Sequence, residues 1–230
     1  MPPPTASETR PPAVASALRT PRAAALAGCI FSVLLLTSLW ILQGASPDDP
    51  RDTGVWLLAN AGAVSLALNL IPFAGIAFLW FIGVLRDRLG AKEDRLVATV
   101  FLGSGLLFLG MLFVAAAAGG GLILAYGDWP GATGTAAFAF ARAFTFYLMH
   151  VYAFRMAAVF MITASTLALY TKIAARWIAI AGYAGALFLL VGSGYFRWTL
   201  FVFPIWVLLI SGHILVDNLR PGKASPLRSD

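Results

Sequence analysis

The sequence predicts an all-α, polytopic membrane helix bundle of about six transmembrane helices, and three observations carry that prediction. Hydrophobic residues make up 60% of the 230-residue chain and charged residues only 11%, against about 25% charged in a soluble domain. The apolar residues fall in continuous runs of the ~20 residues that cross a ~30 Å hydrocarbon layer as a helix, not in the alternation of a barrel strand. Charged and turn-forming residues separate the runs. Inside lipid a backbone has to satisfy its own hydrogen bonds, and a helix does so within one segment.

The spans follow in order, at 23–43, 55–85, 96–126, 134–171, 177–193 and 199–216. The first begins just after Arg22 and ends at "GASPDDPRDTG" (44–54). The second runs into the charged "RDRLGAKEDR" (86–95), and the third ends at "YGDWPGATG" (126–134). The fourth stops at the basic "TKIAARW" (171–177), and "GSGYFRW" (192–198) turns the chain from the fifth span into the sixth. Residues 1–22 and 218–230, rich in Pro, Ala, Ser and charge, read as disordered cytoplasmic tails around a transmembrane domain at 23–217. "LAGC" (26–29) has the look of a lipoprotein-processing box, but its cysteine precedes the hydrophobic region, so the first span reads as an uncleaved anchor. Cys29 is the only cysteine, which excludes disulfides within the chain and any cysteine-based metal site.

Charge sets the orientation. With the amino terminus inside, Arg10, Arg19, Arg22, Arg86, Arg88, Lys92, Arg95, Lys172, Arg176, Arg220, Lys223 and Arg228 all fall on the inner side, and only Arg51 and Arg197 outside. Twelve against two is a strong positive-inside asymmetry, placing both termini in the cytoplasm and the protein in the plasma membrane. The net charge of +6 is then a basic face against anionic lipid, with no nucleic-acid partner implied.

Arg142 and Arg155 remain, both in the unusual run "FARAFTFYLMHVYAFRMAAVF" (140–160) together with His150. At 1.5 Å per residue the second, third and fourth spans are ~45–57 Å long, more than tilt absorbs, so their surplus projects on the outer side. Arg155 then lies ~25 Å above the inner boundary, near the outer headgroups, with His150 and Arg142 higher. Snorkelling among Phe144, Phe146, Tyr147, Tyr152 and Phe154 is one account of these groups. The other is an outer vestibule in which Arg142, His150, Asn60, Asn69 and Arg155 attract an anionic lipid phosphate or a carboxylate. Pro72 could kink the second span, and "AAAAGGG" (115–121) either admits close backbone approach or breaks the third. On a straight α-helix Arg142 and His150 lie about 80° apart and Arg155 about 140° from both, so Arg155 is the outlying member.

Catalytic chemistry finds little to stand on. The two histidines, His150 and His213, are separated by roughly 25–30 Å in depth, too far to share a haem iron; a lone His150 with Met149, Met156 or Met161 is the remaining haem arrangement. Ser65, Ser104 and Ser165 have no carboxylate in the spans to complete a triad, and no HExxH occurs. No cofactor or metal is implied. A proton-coupled transporter wants a titratable group at the midplane, and the chain shows no inverted repeat. Ala181 with Gly185, and Gly182 with Ala186, are small-xxx-small packing pairs.

The segment "NAGAVSLALNLIPFAGIAFLWFIGVLRDRLGAKEDRLVATVFLGSGLLFLGMLFVAAA" (60–117) resembles a group of uncharacterised bacterial multi-pass integral membrane proteins. The resemblance spans the second and third helices with their charged loop and implies the membrane fold, with no function or residue role. The residues favour a non-catalytic membrane protein that binds a lipid or protein partner. A small transporter or channel for an anionic solute is the alternative, and a membrane enzyme acting on lipid comes third.

The orientation has a direct check. In a Cys29→Ser background, a cysteine at Ser225 is expected to be shielded from an impermeant thiol reagent in intact cells, and one at Thr133 to label. The reverse pattern would overturn the topology.

Overall fold

The computed structural model describes residues 21–45, 55–89, 95–127, 129, 131–171, 174–192 and 196–219. Of the two predicted disordered tails, 21–22 and 218–219 are helical and the rest lie outside the described residues, as do 46–54, 90–94 and 193–195 of the loops. Those described form helices throughout, with no strand among them: α1 (Pro21–Ala45), α2 (Val55–Ala59), α3 (Ala61–Leu89), α4 (Arg95–Tyr126), α5 (Ala136–Tyr147), α6 (Phe154–Thr171), α7 (Arg176–Gly192) and α8 (Val202–Leu219). A π-helical turn, Leu148–Ala153, joins α5 to α6, and 3₁₀ turns at Ala132–Gly134 and Arg197–Phe201 lead into α5 and α8. Five helical stretches are long and apolar enough to cross a membrane: Arg22–Ala45, Ala61–Arg86, Leu96–Tyr126, Ala136–Thr171 and Trp198–Asp217; Arg176–Gly192 is apolar but has only 17 residues.

Local chemistry accounts for the breaks. Thr135 caps α5, its side chain accepting from the Phe138 amide, which answers one of the free donors at a helix start. Asn60, between α2 and α3, donates its side-chain amide to Trp56 O at 3.0 Å and Ala45 O at 3.4 Å, fastening the end of α1 to the α2–α3 corner. Two expected weak points stay helical: Pro72 lies inside α3, and α4 runs unbroken through "AAAAGGG".

Packing closes the helices into a ring in the order α1, α3, α4, α6, α7, α8 and back to α1. The middle is filled by phenylalanines from five of the six. Phe78 of α3 stands 4.5 Å, ring centroid to centroid, from Phe31 of α1 and 5.1 Å from Phe160 of α6. Its distances to Phe108 of α4 and Phe203 of α8 are 5.5 and 5.7 Å. Phe108 and Phe203 meet at 4.9 Å, and Phe101 stacks on Phe160 at 4.8 Å. All are fully buried. Their mostly edge-on and tilted pairings are the arrangements the ring quadrupole favours, each worth about 0.5–1.5 kcal/mol beyond the area buried.

Small residues bring the backbones close around this cluster. A Cβ added to Gly28 of α1 would meet the Ser211 hydroxyl and the Phe81 ring; one on Gly182 of α7 would meet the Ser165 hydroxyl and the Trp206 indole. Ser165 and Ser211 are buried against these glycines with no hydrogen-bond partner among the described residues. Other polar groups are spent between helices: buried Ser38 donates to Ala67 O at 2.8 Å, the buried Trp206 indole donates to Ile178 O at 3.0 Å, and half-buried Thr166 and Tyr183 share a 2.7 Å bond.

Pro21 and Leu219 lie at one end of the bundle, here the terminal end. Measured from it at 1.5 Å per residue, α7 rises about 26 Å, α4 about 48 Å, and α5 with α6 about 54 Å. The upper third of α4, all of α5, α2 and the start of α3 therefore form a lobe above the rest. It is packed around Leu57, Leu68, Leu122, Phe138 and Met149, all buried. At its base a Cβ on Gly119 would sit 3.1 Å from Leu68 and 3.7 Å from Thr145, so this glycine marks the crossing of α3, α4 and α5.

Gly182→Leu is expected to destabilise the protein by about 1–3 kcal/mol, since the crossing with Ser165 and Trp206 has no room. Gly83→Leu, where an added Cβ meets nothing within 4 Å, is expected to stay within about 0.5 kcal/mol. Unfolding in detergent micelles compares the pair.

Candidate functional site

The polar groups singled out from the sequence do not converge in the bundle centre. Arg142, Phe146 and His150 follow one another at four-residue intervals from Phe138, the spacing that puts side chains in a row along one flank of a helix. Phe138 is buried, and Arg142, Phe146 and His150 are half-buried. This row climbs the edge of the face that α5 and the π turn present to α4, which packs against both.

His150 is the best-defined member. Its ring lies on that of Phe146, with centroids 4.2 Å apart and planes 15° from parallel, and its Nδ1 is 3.2 Å from the Phe146 carbonyl oxygen. A carbonyl only accepts, so in this contact Nδ1 donates, and a neutral ring then keeps its lone pair on Nε2. Thr145, beside it, donates to Ala141 O at 2.9 Å. The row thus offers a guanidinium, an aromatic face and one nitrogen acceptor on a half-buried flank. That combination suits an anionic group carrying a hydroxyl or an acid proton.

The other predicted members lie elsewhere. Arg155 is exposed on the outer face of α6, one turn beyond exposed Tyr152. The π turn between it and His150 adds about one residue to the winding, so the straight-helix angles do not hold; Arg155 is exposed where the members of the row are half-buried. Asn69 is exposed on α3, and Asn60 is exposed with its amide committed to Ala45 and Trp56. Arg142 and His150 share a flank. Asn60, Asn69 and Arg155 are exposed at the α2–α3 corner, on α3 and on α6, and no hydrogen bond joins them to the row among the described residues.

Two features of this region were not read from the sequence. The π turn has no local sequence signal, because its residues "LMHVYA" are ordinary helix formers. A cluster of Trp40, Trp198 and Phe201, with Trp198 and Phe201 centroids 5.6 Å apart, joins α1 to the turn before α8; a search for interfacial aromatics outside the 140–160 run could have found it. Among the described residues no group of three or more His, Cys, Asp or Glu is placed to hold a metal. Ser104 spends its hydroxyl on Phe101 O at 3.2 Å, and Ser165 faces Gly182, so neither stands beside a base.

Comparison with protein-family models, curated proteins and solved structures gives no match.

The tautomer is measurable. Nitrogen-15 spectra of histidine-labelled protein, with His213→Gln to assign the signals, are expected to show His150 protonated on Nδ1 and bare on Nε2 at neutral pH. A ring protonated on Nε2 would remove the acceptor from the flank.

Proposed function

We propose that the chain is a plasma-membrane protein with six transmembrane helices and both termini in the cytoplasm, which binds an anionic lipid or a protein partner and catalyses no reaction. The phenylalanine-filled centre is the observation that carries this reading. A conduction path needs polar groups or water along an axis, and here the axis is occupied by Phe31, Phe78, Phe101, Phe108, Phe160 and Phe203, all fully buried. Polar side chains stand instead at the flank of the lobe.

Exposed residues at one level support the position of the membrane. Trp40, Trp198, Tyr152 and Arg155 are all exposed and lie about 24–32 Å above the terminal end. Amphipathic rings and a guanidinium at one height mark a headgroup region, one hydrocarbon thickness from the charged terminal end. The excess of basic residues in the segments at that end supports its facing the cytoplasm. The lobe then stands on the outer side, and the row of Arg142, Phe146 and His150 forms the wall of the vestibule. Its ligand is a lipid phosphate or a carboxylate, held by charge-assisted hydrogen bonds to Arg142 worth roughly 1.5–3 kcal/mol each. Transport of an anionic solute would require the ring cluster to part, and no observation favours that reading.

Native mass spectrometry of the purified protein with phosphatidylglycerol measures retained ligand. Arg142→Ala is expected to weaken retention roughly ten- to a hundredfold, one decade for each ~1.4 kcal/mol. Arg142→Lys is expected to recover part of it, lacking the planar fork, and Arg155→Ala to change it less. Equal retention by wild type and Arg142→Ala would overturn the vestibule. Anion flux through proteoliposomes would replace binding with transport.

A further inference from the structure

We infer that the lobe is a docking surface for a second copy of this chain, joining two protomers side by side above the membrane. The inference rests on the membrane level proposed above. Beyond that level the chain should present polar surface to water, yet the lobe's outer side is apolar. Leu124 of α4 is 89% exposed, and Phe140, Phe144 and Tyr147 of α5 are 73%, 43% and 58% exposed. The three aromatics recur at i, i+4 and i+7, the spacing of an unpartnered helix face, and the rings of Phe140 and Phe144 are already aligned, 6.3 Å apart and 21° from parallel. Arg142 is the one charged residue in α5, and it lies on the flank already described.

Two observations select a second copy as the occupant. The first is registry. Phe144 and Tyr147 stand about 40 and 36 Å above the terminal end, and Gly121 and Ala117 of α4 about 39 and 33 Å. Gly121 and Ala117 are exposed, and a Cβ on Gly121 meets nothing within 4 Å. One chain therefore carries aromatic knobs on α5 and small-residue holes on α4 at matching heights. With the twofold axis along the membrane normal, the knobs of each protomer enter the holes of the other, and the contact closes. The second is area. Exposed rings of this size offer roughly 100 Å² or more apiece. With the exposed alanines between them, two protomers would bury on the order of 1,000 Å², where a specific interface begins.

The test is cross-linking in native membranes. In a Cys29→Ser background, the Phe144→Cys/Gly121→Cys variant under mild oxidation is expected to give a band at twice the 24.4 kDa monomer mass. Leu187→Cys, exposed on α7 at the depth of the hydrocarbon, is expected to give none. Because Phe140 and Phe144 point outward, Phe140→Ala/Phe144→Ala should fold normally. Single-molecule photobleaching in liposomes is expected to shift from two steps to one, with at least a tenfold loss of dimer at equal density. Monomers in the wild type, an equal band from Leu187→Cys, or a cross-link only to a different protein would each overturn the proposal. Thiol labelling at Thr133→Cys reports the membrane level separately. Labelling there without a cross-link faults the dimer, and failure to label faults the topology beneath it.

Discussion

Packing around Phe78 is the constraint on which the rest of this bundle depends. In water a helix hides its apolar stripe because exposure is costly; in lipid that force vanishes, since acyl chains are as apolar as leucine. What remains is contact between surfaces that fit. Each atom pair gains only about 0.1–0.2 kcal/mol, so the fit must be close and extended. Phenylalanine supplies it with a large rigid face and few rotamers to lose. Rings from five helices converge on one point, while α7, which contributes none, is held from its back by the Gly182 crossing, the Trp206 indole and the Thr166–Tyr183 bond. The rings and the glycine notches are two halves of one device, because bulk at the centre requires thinness where the backbones cross.

The same device explains where polar chemistry can be. With the centre filled and the crossings crowded, a large polar side chain has room only on the flanks or beyond the bundle. Buried hydroxyls are small and mostly bonded to carbonyls, as Ser38 is to Ala67. The larger groups, Arg142 and His150, occur where α5 rises past its shorter neighbours. Unequal helix length thus creates this polar flank.

Much of this architecture was legible in the sequence, for a physical reason. The rules for crossing a bilayer act on composition and length, both of which are one-dimensional. The starts and ends of the apolar runs agree with the helices to within a few residues, and the upper part of the fourth span, expected to be helical over 135–150, is helical from Ala136. What could not be read depends on rotation about helix axes. Asn69 and Arg142 look alike in the sequence, both polar residues in a long apolar run, yet one is exposed on α3 and the other half-buried on a flank. The π turn altered the angles after it without any residue announcing the change. The phenylalanine cluster was equally silent: seventeen phenylalanines are scattered along the chain, and only the ring of helices shows which of them meet.

The shortness of α7 reaches beyond this molecule. A 17-residue helix spans about 26 Å, close to the ~27 Å of the thinnest cellular bilayers and several ångströms below the thickest. In the six-span arrangement proposed above, the lipids on that side of the bundle must shorten to meet it, at a cost that grows with every ångström of mismatch. A membrane with laterally varied composition would therefore gather this protein into its thinner regions, α7 facing the compressed lipid. The neighbours it meets there would be chosen by chain length before any surface recognises another.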